Sequence, residues 1–270
     1  MNAEGMVNKT KEAARDTNDH PVVRAAASVG YAASGVIHLL IAWIALQVAM
    51  GASRASADQS SAMSTIGKAP WGAPLLWLLV VGFVGLALWQ LTEAVGGWHG
   101  TGKDAIFSRI KAVSKAGVYV ALGWTAASIA RGKASDGAAQ SSETTGDILA
   151  LPGGKGLVVV IGLVVVGVGI YHVAKGIRKS FLKDLVDDPG DIAVTAGMIG
   201  YPAKGVALVI VGGLFVLAGV SGRAAESKGL GGALTWLVKQ PFGPWLLGAV
   251  ALGIGCYGIY SFFRARHTKV

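Results

Sequence analysis

KQPFGPWLLGAVALG, residues 239–253, is a near copy of KAPWGAPLLWLLVVG, residues 68–82. Both read Lys-x-Pro-aromatic-Gly and then run into apolar residues, and they lie 171 positions apart. A second pair shares almost the same offset: GYAASG at 30–35 returns as GYPAKG at 200–205, 170 positions on. Two motifs with nearly one offset mark a duplicated segment, and a fixed internal period decides the fold before any local reading does. A third, more diverged copy fits between them at an offset of 82: Gly35 maps to Gly117, Pro70 to Pro152 and Gly72 to Gly154. Trp89, Tyr171 and Tyr260 then share one position, and Glu93, Lys175 and Arg264 another.

Composition says where such a repeat lives. The 270 residues are 53% hydrophobic and only 14% charged, against roughly 25% charged in soluble domains. The 40 glycines suit helices packing closely in lipid. The single cysteine, Cys256, excludes an intrachain disulfide and Cys-x-x-Cys metal sites. The net charge of +9 flanks apolar segments, so it reads as membrane orientation, and nucleic acid is not an expected partner.

Six stretches have roughly the length of a membrane span: 25–51, 74–96, 112–130, 156–174, 197–219 and 244–263. Backbone groups in lipid must be satisfied within the segment, which favours helices, and the short alternating segments of a barrel are not visible. The expectation is an all-α integral membrane protein, with six transmembrane helices as three parallel helical-hairpin repeats and short outer-surface helices. The stretches SAMSTIGKA and GALTWLVKQ before the Pro motifs supply those short helices. The expected divisions are a cytoplasmic arm at 1–23, hairpins at 24–98, 109–179 and 197–266, and a tail at 267–270. Lys and Arg fall sixteen on one side of this arrangement and eight on the other. That places both termini in the cytoplasm. Parallel repeats would be related by an axis along the membrane normal.

In each copy the Pro suits a helix start, where its missing donor costs nothing, and the Gly permits a turn or close approach. The structural motif comprises Gly30, Tyr31, Gly35, Pro70, Gly72, Pro152, Gly154, Gly200, Tyr201, Gly205, Pro241, Phe242 and Gly243. The pattern GYAASG, ADQSSAM at 57–63, GGALTWL at 231–237 and QPFG at 240–243 resembles the mostly actinobacterial family of domain of unknown function number 1206. That resemblance covers about 24–266 and implies a six-helix, three-repeat protein of a bacterial inner (plasma) membrane with no established activity. Copy two departs from the pattern, with LPGGKG in place of Pro-aromatic-Gly.

His38, near the middle of the first span, is the sharpest candidate for binding or transport, because ionisable groups at membrane depth are costly and often functional. Its repeat equivalents, Val120 and Leu208, are apolar. Glu93 is the second candidate, with a solvated interfacial charge as the bland alternative. Trp89, Tyr171 and Tyr260 read as an interfacial aromatic belt, or as an aromatic ring around a central axis. GIGCYG at 253–258 has dinucleotide-loop spacing but lies in an apolar span, not after a strand. FLKDLVDDPGD at 181–191 reads as a short interfacial helix running into a solvated acidic loop. No catalytic or metal set stands out, and no cofactor is expected. The chain is therefore expected not to be an enzyme but a scaffold or accessory module in the bilayer, its partner a membrane protein or itself. The alternative is a small transporter or channel with a polar path near His38 and Glu93.

Overall fold

The computed structural model describes residues 21–53, 56–95, 103–133, 136–185 and 189–267. It is helical throughout: α1 Pro21–Ala49, α2 Gln59–Gly67, α3 Gly72–Val95, α4 Lys103–Ala130, α5 Gly137–Leu149, α6 Gly154–Ile177, α7 Asp191–Ser221, α8 Gly229–Val238 and α9 Gly243–His267. A 3-10 turn, Ser180–Asp184, links α6 to α7, and another, Ala224–Glu226, precedes α8. The chain forms two compact units. One comprises the described parts of Met1–Asp58 and Ala138–Val270, the other Gln59–Gly137.

The expected six spans are corrected. Among the described residues four helices are long and apolar enough to cross a membrane: Ser28–Ala49 of α1, then α6, α7 and α9. In α3 the apolar stretch is shorter, Gly72–Leu88. In α4, Lys103, Asp104, Arg109, Lys111 and Lys115 occupy the first half, and Ala, Ser and Gly dilute the second. Among the described residues, α4 is long without being apolar throughout, and the apolar stretch of α3 is shorter than a span.

The repeat is visible in the local chemistry. The outgoing helix of each copy ends on a left-handed glycine, at Gly51, Gly132 and Gly222. At the first, Gly51 N–H donates to the Val48 carbonyl (3.0 Å) and Ala52 N–H to that of Gln47 (2.8 Å). At the second, Gly132 N–H donates to Ile129 (2.9 Å) and Lys133 N–H to Ser128 (3.0 Å). This double bond satisfies carbonyls that the helix end leaves open and needs a residue that tolerates positive φ. The returning helices begin at Gly72, Gly154 and Gly243, two residues after Pro70, Pro152 and Pro241. In all three the glycine N–H donates three residues back, to Ala69 (2.8 Å), Leu151 (2.9 Å) and Gln240 (2.8 Å). A Cβ there would collide with the last turn of the preceding short helix, at the carbonyls of Ile66, Ile148 and Val238. The Pro motif is thus a corner whose glycine lets a long helix start directly against a short one.

The closest helix pairs cross the boundaries between copies. The returning helix of one packs on the outgoing helix of the next: α3 on α4, α6 on α7, and α9 of copy three on α1 of copy one. The α6–α7 pair shows why. Gly162, Gly169 and Gly176 recur every seven residues on α6, as do Gly205, Gly212 and Gly219 on α7, the spacing that keeps one seam facing a partner. A Cβ on Gly169 would lie 2.7 Å from the Gly205 carbonyl oxygen, and one on Gly212 2.7 Å from that of Gly162. Backbones this near gain dispersion and Cα–H···O contacts that larger residues would forbid. The α1–α9 pair repeats the crossing, with Gly35 and Gly258 each 3.0 Å from the other's carbonyl oxygen by the same measure. In α4 the equivalent Gly117 faces open space. The large apolar side chains turn outward instead, among them Val160, Leu163, Val164 and Val168 of α6, which is the inversion lipid permits.

Candidate functional site

α6 and α9 finish where α1 and α7 begin, and the chain concentrates its polar and aromatic residues at that end. The 3-10 turn after α6 folds back and buries Phe181 completely. Phe181 stacks on Tyr201 (centroids 5.3 Å, planes 18° apart) and meets Tyr260 edge-on at 5.2 Å. Tyr201 in turn meets Tyr257 edge-on at 5.2 Å. Glycine makes room for this as well: a Cβ on Gly197 would strike the Phe181 ring, and one on Gly200 the Tyr257 backbone. The Tyr260 hydroxyl donates to the Phe181 carbonyl at 3.4 Å. The segment at 181–191, expected to be an interfacial helix, is therefore partly a core plug. Asp191 opens α7, and Asp187 and Asp188 lie outside the described residues.

Charge surrounds the aromatic cluster. Asp184 Oδ2 takes Lys175 Nζ at 2.6 Å and an Arg264 guanidinium nitrogen at 3.4 Å. Arg264 also donates to the Tyr201 hydroxyl at 3.3 Å and lies over the Tyr31 ring, 4.3 Å from its centroid. Its Nε is buried without a hydrogen-bond partner among the described residues. Lys204 lies 4.0 Å from the Tyr257 ring centroid, close enough to His38 and His172 for its charge to reach both. Two of these cations thus share one carboxylate while Lys204 rests on a ring, and tyrosine faces carry part of the difference through their quadrupoles.

His38 sits at the edge of this cluster, its ring 4.8 Å from that of Tyr257. Its Nδ1–H donates to the Ser34 carbonyl at 2.7 Å, which fixes the tautomer. His172 makes the same intrahelical bond to Val168, at 2.8 Å. Tyr171 is exposed and Tyr260 fully buried, so these two repeat equivalents occupy different surroundings. The side chains of Trp89 and Glu93 lie outside the described residues. Of the structural motif, Tyr31 and Tyr201 meet at Arg264, Gly35 and Gly205 lie at helix crossings, and Gly30 faces open space. Phe242 is exposed at φ 59. Copy two's departure from the motif places Gly153, φ 75, at the position equivalent to Phe242.

Reading the repeat places Lys175 and Arg264 at one equivalent position but does not find the acid they share. The signal for it was Asp184, the one acid within the basic run at 175–183 and its edge. At the opposite end, the chain before α2 touches copy three. Ser56 Oγ donates to buried Asp58 at 2.8 Å, and both press on Gly231 of α8. Ser142 of α5 donates to the Ser227 carbonyl at 3.5 Å, so α5 of copy two likewise meets the loop of copy three.

These features define an all-helical, multi-pass membrane protein built on an internal repeat. The chain belongs to the family described as Domain of Unknown Function (DUF1206), whose profile matches it three times, at residues 29–97, 110–179 and 199–268. It is also similar to the uncharacterized protein YxxB of Bacillus subtilis (strain 168), with 27% identity over 251 residues that cover 90% of each chain. No solved structure matches it significantly.

Proposed function

We propose that the protein is a non-catalytic scaffold or accessory module, acting by packing against a membrane-protein partner or against itself. The supporting observation is the way α6 closes on α7 and α9 on α1. Glycine brings the backbones together, so these seams offer no row of polar side chains along their length to carry a solute. Polar side chains of the larger unit gather instead at the helix ends, around Asp184 and around Asp58. Both chain ends belong on the cytoplasmic side. Arg264 near the end of α9 lies on Tyr31 near the start of α1, so those helix ends share one side, and the basic residues around them favour the inner face.

The test is isolation of the intact chain in mild detergent with native mass spectrometry of what accompanies it. A stoichiometric protein partner or a defined self-assembly is the expected result. A lone chain that carries solute flux in liposomes, lost in the variant His38→Ala, would instead favour the transporter reading.

A further inference from the structure

We propose that the cluster formed by Lys175, Lys204 and Arg264 is a binding site for a phosphate-bearing anion, with Lys204 as its principal contact. The charge inventory points there first. Lys175 and Arg264 converge on Asp184, while Lys204 has no carboxylate partner among the described residues, only the Tyr257 face. The described groups carry two positive charges more than negative ones. Partial burial of uncompensated charge on a membrane helix is unfavourable, and an anion arriving from water or from the lipid surface relieves it.

A second observation agrees. Arg264 Nε is a buried donor without an acceptor among the described residues, beside Lys175, Lys204 and the phenols. The aromatic groups hold the cations in place. Tyr201 contacts Lys175 through its ring (5.3 Å) and Arg264 through its hydroxyl. Tyr257, edge-on to Tyr201, carries Lys204. The cations are thus fixed around one pair of rings, so an anion bound there would meet an ordered set of donors. Lys204 is only partly buried and the exposed Tyr171 flanks Lys175 at 5.9 Å, which leaves an approach from the surface. The inference does not depend on whether the protein is a scaffold or a transporter.

The phosphate can be a lipid headgroup or a free ion, and the experiment separates the two. Purified full-length chain in detergent is offered phosphatidylglycerol, phosphatidylcholine or inorganic phosphate, with bound lipid read by native mass spectrometry and protection by thermal unfolding. The expected result is a preference for phosphatidylglycerol over phosphatidylcholine that falls about five-fold in Lys204→Gln, the effect of one basic residue at an anionic surface. Lys204→Arg should retain it, and Lys239→Gln at the opposite helix end should leave it unchanged. Protection by inorganic phosphate alone, lost in Lys204→Gln, would support the site with a soluble ligand. Equal retention of both lipids by the wild-type chain, with no protection by phosphate, would overturn the proposal even if no variant folds.

Discussion

Gly117 and Gly169 lie on the two long helices of the same copy, yet substitution should affect them in opposite ways. A methyl on Gly169 would press on the Gly205 carbonyl, and forcing apart a packed seam typically costs about 1–3 kcal/mol. Gly169→Ala should therefore lower the unfolding temperature in detergent. Gly117→Ala meets open space and should leave it unchanged or raise it slightly, because alanine favours helix by up to about 1 kcal/mol. Asp184 is the other decisive residue. Asp184→Asn removes the negative charge that both Lys175 and Arg264 pair with and leaves a single neutral oxygen as acceptor. With all three side chains less than a third exposed, the loss should be about 1–3 kcal/mol. Lys175→Gln should cost less, because Arg264 still holds Asp184. At this scale the sequence was informative about which residues mattered and less so about their partners. His38 stood out by its depth in an apolar run. Phe181 did not, because a buried aromatic in a polar loop carries no periodic signal.

The helices themselves were legible wherever apolar residues ran unbroken. In α4, where charged and small residues interrupt the apolar run, and in α3, whose described apolar stretch is short, reading by pattern overcounted the spans. The left-handed glycines that stop α1, α4 and α7 share the repeat's spacing and were available in the sequence, but only the hydrogen bonds at Gly51 and Gly132 give them their role. The corner before α6 offers a test of that kind of chemistry. Gly153 holds φ 75, where a residue with a branched Cβ is strained by about 1–2 kcal/mol. Gly153→Val should destabilise the protein by that amount, and Gly153→Asn by clearly less. Phe242 already occupies the left-handed region without being glycine. Phe242→Gly should therefore be tolerated as far as the backbone is concerned, and thermal unfolding of the three variants side by side would check the ordering.

For the whole molecule, the internal repeat could be read from a handful of offsets, but the partners of each helix could not. Sequence adjacency suggests that the two long helices of one copy pair with each other. The glycine seams instead pair copy two with copy three and copy three with copy one, because a seam is made wherever two small-residue faces match, whatever their order in the chain. The pairing of α9 with α1 also predicts topology. Single cysteines placed at the start of α1 and the end of α9 should react with an impermeant reagent from the same side of the membrane. Opposite labelling would contradict the contact between Arg264 and Tyr31.

That closing pair has a consequence for biosynthesis. Gly35 and the Gly258 it faces are separated by about 220 residues. At translation rates of roughly 5–20 residues per second, α1 waits on the order of ten to forty seconds for its partner. During that interval its small-residue face lies against lipid or against whatever protein attends the nascent chain. A ribosome stalled before α9 should therefore hold α1 in a state that crosslinks to its surroundings through residues near Gly35, and release of the finished chain should end that reactivity.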